Sequence, residues 1–214
     1  MRASVEHALA LRSAIEAVYG LSLDGLRVEA AGRTDTAIAR DLLRAAGVED
    51  AEIDARAAAV AAAAVAAYAE LCPPDLSGRV APGMPELLAE LAREPAAFGF
   101  SLVTGNLEPI ARRKLAAAGL GHFFAPGQGG FGSDAESRAE LPAIARRRAG
   151  DWSRERSVVI GDTPRDIACA RADGVRVAAI ATGPFGAEAL AGAGAVHHGV
   201  RALLPVLRDW SKAR

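Results

Sequence analysis

Of the 214 residues only two are cysteine, Cys72 and Cys169, and they stand too far apart in sequence to form a metal-ligand spacing. Neither has a catalytic partner nearby, so both read as reduced thiols. Charge of one sign is missing too. A net charge of -1 argues against a nucleic-acid surface. No apolar run approaches the roughly 18 residues of a membrane span. The N-terminus lacks the charged, apolar and small-residue succession of a secretory signal, so a cytoplasmic protein is expected. What the chain does contain is a bias towards Ala, Arg and Gly around a 51% hydrophobic and 24% charged content. That describes a globular protein of one full domain, or of a domain and a smaller partner, able to bury a real core.

The first part of the chain reads as helical. From Ser4 to Tyr19 the apolar residues Val5, Leu9, Ile15 and Val18 recur four, six and three residues apart, in steps and multiples of steps that suit a helix, and Gly20 ends the run. Gly32, Arg33, Thr34 and Asp35 make a polar turn before a second helix, in which Ile38, Leu42 and Leu43 share a face and Gly47 follows. An Ala-rich third helix runs from about Ile53 to Leu71, where Cys72-Pro73-Pro74 breaks it. Pro82 and Gly83 mark a second break before a helix over Pro85 to Arg93, which puts a domain boundary near residue 80. Beyond it strands alternate with helices, the pattern of a parallel sheet with helices on its faces. The strands expected are Phe98 to Val103, Val158 to Ile160, Val175 to Ile180 and Ala195 to His197. The helices lie over Leu107 to Ala118, about Glu136 to Arg148, Pro164 to Ala172 and Arg201 to Trp210.

Val158 to Asp166, read as Val-Val-Ile-Gly-Asp-Thr-Pro-Arg-Asp, is the stretch around which the chain is organised. Three β-branched residues suit a strand buried on both faces, and Gly161 turns the chain out of it. Thr163 is a natural N-cap and Pro164 fits the first helical position, which brings Asp166 into the first turn beside Asp162. Asp166 completes a capping box on one reading. The box leaves Asp162 unexplained, whereas two carboxylates held close at a strand end suit a Mg²⁺ ion between them. Open α/β sheets bind ligands at that edge.

A second strand end repeats this logic at Thr104-Gly105-Asn106. A hydroxyl and free helix N-terminal amides there are equipped to cradle a phosphate, although Asn106 can serve as a plain N-cap. Arg138 lies at the start of the next helix, within reach of such a phosphate, with Lys114 as its rival for the basic role. Gly127-Gln128-Gly129-Gly130-Phe131-Gly132 matches a dinucleotide fingerprint but follows Pro126 and no good strand, so it reads as a flexible loop. His197 and His198 point to opposite faces of a strand, and His7 and His122 read as structural.

Thr104-Gly105-Asn106, Arg138 and Gly161-Asp162-Thr163-Pro164-Arg165-Asp166, in this order and spacing, resemble the haloacid dehalogenase superfamily of hydrolases. The resemblance is strongest to phosphoglycolate phosphatase-like members with a helical cap. It implies a three-layer, Rossmann-like parallel-sheet α/β core over residues 81–214, with an inserted all-helical cap over residues 1–80. It implies a Mg²⁺-dependent phosphatase that acts on a small phosphomonoester through an aspartyl-phosphate. Thr104 would then bind the phosphoryl oxygen with Gly105 and Asn106, and Arg138 would stand where the family usually has Lys. Asp162 and Asp166 would serve the metal, and Arg33 in the cap turn would help select substrate. The family's opening strand, which ends in Asp-x-Asp and supplies the nucleophile, has no counterpart in the sequence. The expectation is therefore an upstream extension of a turn and a strand of roughly 5 to 6 residues. Without it the chain should not turn over, and a non-catalytic phosphate- or metal-binding module is the alternative; a dinucleotide enzyme is a distant third.

Overall fold

A computed structural model describes residues 4–182 and 185–212. Three helices come first: α1 (Val5–Tyr19), α2 (Asp35–Ala45) and α3 (Asp50–Leu71). α1 packs along α3 over most of its length. The buried face of α1 is Ala10, Leu11, Ala14 and Ile15, and it meets Ile53, Val60, Ala64 and Tyr68 of α3. This corrects half of the face read from sequence: Ile15 is buried and Val18 packs against the core, but Val5 and Leu9 are 72% and 52% exposed. Alanines at the contact let two helix backbones approach closely, so Ala10 and Ala14 share the interface with Leu11 and Ile15 while Val5 and Leu9 turn outward. Leu42 and Leu43 of α2 complete this core, and Leu107 and Ile110 reach it from the following region.

The rest of the chain builds the sheet: α4 (Met84–Ala92), β1 (Val103–Thr104), α5 (Glu108–Ala117), β2 (Gly130–Phe131), α6 (Leu141–Arg148), β3 (Val158–Gly161), α7 (Pro164–Asp173), β4 (Arg176–Ile180), β5 (Ala195–His197) and α8 (Leu203–Lys212). All pairings are parallel, but they fall into two separate ladders, β1 with β2 and β3 with β4 with β5. Along β4 the side chains alternate between two helical layers. Ala178 and Ile180 meet α4 and α8, while Val177 and Ala179 meet α7. The result is the three-layer arrangement expected of a parallel sheet.

Three sequence expectations change here. The strand over Phe98 to Val103 shrinks to Val103–Thr104, since among the described residues β1 has only the two-residue β2 beside it. The glycine-rich loop is not wholly loop. Gly130 and Phe131 form β2, anchored by the fully buried Phe131 ring and by Gly130 N–H donating to Leu102 O at 2.8 Å. Finally, β3 is not buried on both faces. All its residues are partly exposed, Ile160 at 37%, because its only ladder partner among the described residues is β4.

Candidate active site

All seven residues singled out from the sequence, Arg33, Thr104, Gly105, Asn106, Arg138, Asp162 and Asp166, border a single cavity of about 2420 Å³. The cavity runs between the cap and the strand ends and continues between β1 and β3, where Val103 and Val158 to Gly161 form its walls.

At the end of β3, Gly161 is fixed by sterics, as a Cβ there would lie 2.3 Å from the Asp166 side chain. The capping box forms as expected. Thr163 Oγ1 accepts from Asp166 N–H at 3.3 Å, and Asp166 Oδ2 accepts from Thr163 N–H at 3.0 Å, Thr163 Oγ1 at 2.9 Å and Asp162 N–H at 3.1 Å. Its other oxygen, Oδ1, takes Arg138 Nη2 at 2.5 Å. Asp166 is therefore a buried, fully engaged acceptor. Asp162 carries no such load; burial, reinforced by the Asp166 charge, pushes its carboxyl above the usual range. An opposite charge beside it would relieve that cost. Asp162 is the carboxylate that could hold a divalent cation there, supplying the hard oxygen such an ion takes. Asp166 joins only if it exchanges Arg138 for the metal. Among the described residues, no group of three or more His, Cys, Asp or Glu side chains surrounds a common metal position.

At the end of β1, Thr104 Oγ1 accepts from Asn106 N–H at 3.2 Å. Asn106 is not the N-cap. Leu107 holds that position without a capping side chain of its own, and the Asn106 amide is used elsewhere. Its Oδ1 accepts from Lys114 Nζ at 2.7 Å, and its Nδ2 donates to Asp35 Oδ1 at 3.3 Å. Lys114 thus enters the site although it lies well inside α5, because helical side chains lean back towards the N-terminus. The two rivals hold different places: Arg138 sits on Asp166 and Lys114 on Asn106. Burial pulls the Lys114 amine down to about 8.

The cap seats on both strand ends. A Cβ on Gly105 would lie 2.0 Å from Arg33 O, so only glycine permits that approach. Thr34 is buried as the N-cap of α2 and donates to Glu136 O at 2.6 Å, while Arg165 Nε donates to Ala31 O at 2.9 Å. The Arg33 guanidinium is held by Asp41 and the carbonyls of Glu29 and Ala37, so it borders the cavity from within the cap. Sequence reasoning missed Asp35 and passed over His7. His7 Nε2 lies 3.0 Å from Asp35 Oδ2, an oxygen that also accepts from Leu107 N–H at 2.8 Å. Nothing local marks Asp35, since an acid in the first turn of a helix is an ordinary residue. Both cysteines are free.

Comparison with known proteins gives a consistent picture. A family model described as haloacid dehalogenase-like hydrolase matches residues 9–171, and a second, HAD-hydrolase-like, matches residues 136–207. Among curated proteins, none matches the sequence. Among solved structures, β-phosphoglucomutase from Clostridium difficile is similar at TM-score 0.68 and 14% identity, over 96% of this chain and 89% of that one. A hydrolase from Pseudomonas syringae is similar at TM-score 0.64 and 19% identity, over 95% and 91%. A predicted phosphoglycolate phosphatase from Haemophilus somnus follows at 0.60 and 18%, over 94% and 90%. At these identities the structures speak for the fold. None of the described helices is long and apolar enough to cross a membrane.

Proposed function

The chain belongs to the haloacid dehalogenase-like hydrolases, and from that premise we propose that it is a Mg²⁺-dependent phosphatase of a small phosphorylated metabolite, working through an aspartyl-phosphate. The observation that supports this best is the meeting of Thr104, Arg138, Asp162 and Asp166 along one cavity. In this reading the Thr104 hydroxyl and the Gly105–Asn106 turn receive the phosphoryl oxygens at the head of α5, where partial positive charge favours an anion. Arg138 supplies a fixed positive charge, and Asp162 holds the metal with Asp166 behind it. A bound Mg²⁺ neutralises phosphoryl charge and helps orient the group for attack. Arg33 contributes to substrate selection from the cap.

The nucleophile belongs, in this proposal, to a strand upstream of Met1 that enters between β1 and β3 and ends in Asp-x-Asp. The half-buried Phe98, Phe100, Val158 and Val159 and the exposed Ile160 offer that strand apolar walls. One observation favours the non-catalytic binding module instead: Arg138 already neutralises Asp166, and no third ligand joins the two acids among the described residues. A single experiment separates the readings. The upstream-extended protein should hydrolyse p-nitrophenyl phosphate with Mg²⁺, and Asp162→Asn should lower that rate by about 10²-fold or more. An extended, folded protein that binds phosphate without turnover establishes the binding module.

A further inference from the structure

Asp35 belongs to the cap, yet its carboxylate is committed to the core. It is 1% exposed. Its own N–H donates to Gly105 O at 2.7 Å, and in return its side chain accepts from Leu107 N–H at 2.8 Å and from Asn106 Nδ2 at 3.3 Å. Across the cap–core boundary this makes a reciprocal clasp around Thr104-Gly105-Asn106-Leu107. α5 has no N-cap side chain of its own, so a carboxylate 72 residues upstream does that work. On the cap side His7 Nε2 holds the same carboxylate at 3.0 Å. On the core side Lys114 holds the remaining oxygen of Asn106 at 2.7 Å. Every polar atom of the Asn106 amide group is thus oriented by either Asp35 or Lys114.

We propose that Asp35 is a positioning residue of the phosphoryl site, resting on the phosphatase reading above. It sets the α5 N-terminus and the Asn106 amide, so the turn after Thr104 takes its phosphate-receiving geometry only while the cap is seated. Cap closure and phosphate binding are then one event. An open cap withdraws Asp35, and with it one cap of α5 and one of the two partners that orient Asn106. Asp35 touches no reacting atom in this scheme; its effect passes entirely through the turn.

Charge and position make opposite predictions for orthophosphate binding. Removing a carboxylate from beside an anion site tightens phosphate on Coulomb grounds. Asp35→Asn should instead weaken it about tenfold, because an amide has one acceptor oxygen and its NH₂ would face the Leu107 or Asn106 donor. Asp35→Glu keeps the charge and displaces it by one methylene, and it should weaken phosphate as well. Titration calorimetry on the full chain reads both variants, with amide exchange at Asn106 and Leu107 as the local report. Faster exchange at these amides together with weaker phosphate supports the proposal. Wild-type or tighter affinity in either folded variant overturns it and leaves Asp35 a structural cap. A wild-type chain that binds no orthophosphate overturns the phosphatase reading and this proposal together, so the two failures are distinguishable.

Discussion

The helical cap and the sheet bury comparable residues to different extents. In the cap, Ala10, Ile15, Ala64 and Tyr68 are fully buried. In the sheet, β3 carries the run Val158, Val159 and Ile160 without burying any of them, whereas its neighbour β4 buries Val177 to Ile180 at 5% exposure or less. Residue type does not separate β3 from β4; neighbours do. Among the described residues β4 has a strand on each side, while β3 has one. A strand's burial is set by what flanks it, so an apolar run is a necessary condition for a central strand and never a sufficient one. The two regions therefore differ in kind: the cap has a filled core, completed by Leu107 and Ile110, and the sheet has a groove between its two ladders.

The largest expected effect fills that groove. If a strand upstream of Met1 adds about five apolar side chains at roughly 1.5 to 3 kcal/mol each, the gain before ordering costs approaches a domain's whole stability. Even half of it should raise the melting temperature by about 8 to 30 °C, at roughly 2 to 4 °C per kcal/mol for a chain of this size. Scanning calorimetry of the extended and 214-residue proteins measures it. Equal melting temperatures would mean that the strand does not enter between β1 and β3.

A matched pair of substitutions sharpens the contrast at smaller scale. Leu43→Ala in the cap, at a residue 1% exposed, should cost about 2 to 5 kcal/mol. Val159→Ala in β3 should cost about 1 kcal/mol in the 214-residue chain, because the side chain packs on the α7 side but is only partly covered. The ordering should narrow in the extended protein, where Val159 gains cover. Urea melts of both variants in both lengths give the four numbers, and a Val159→Ala cost independent of length would contradict the groove-filling strand.

The sequence carried the helices, the parallel α/β pattern and the two strand-end motifs, because each is written locally. Thr163-Pro164 with Asp166 signals a capping box within four residues, and the structure contains it. What it hid is relational. Half of the α1 face was misjudged because alanine gives a weak hydrophobic signal yet packs tightest, as Ala10 and Ala14 do. β2 was invisible because two residues inside a glycine-rich stretch have no periodicity. Asp35 escaped because its partners, Leu107 and Asn106, lie on a segment that only the fold brings to it; Lys114, named as the rival of Arg138, ranked second for its place inside α5, yet it reaches Asn106. The long-range members of a site are thus the ones that local patterns underweight.

The smallest expected effect lies where the two regions meet. Lys114 Nζ donates to Asn106 Oδ1 at 2.7 Å and stands 5.3 Å from the centre of the Tyr68 ring. Burial lowers its pKa from 10.5 to about 8, while Asp35, Cys72 and Glu6 oppose that fall and Arg79 adds to it. Because the folded protein binds this proton more weakly than the unfolded chain, the unfolded state holds more protons between pH 8 and 10.5. Stability from this residue therefore rises with pH across that window, and its cost is complete below about pH 8. The shift corresponds to a cost of up to roughly 3 kcal/mol. The hydrogen bond to Asn106 and the ring contact each offset about 1 kcal/mol of it. Lys114→Met keeps much of the stem's volume and removes the titration, so near pH 7.5 it should melt a few degrees above wild type. That advantage should shrink towards pH 10 as the wild-type amine loses its charge. A difference in melting temperature that stays constant from pH 7.5 to 10 would mean that the Lys114 ammonium is solvated rather than held between cap and core.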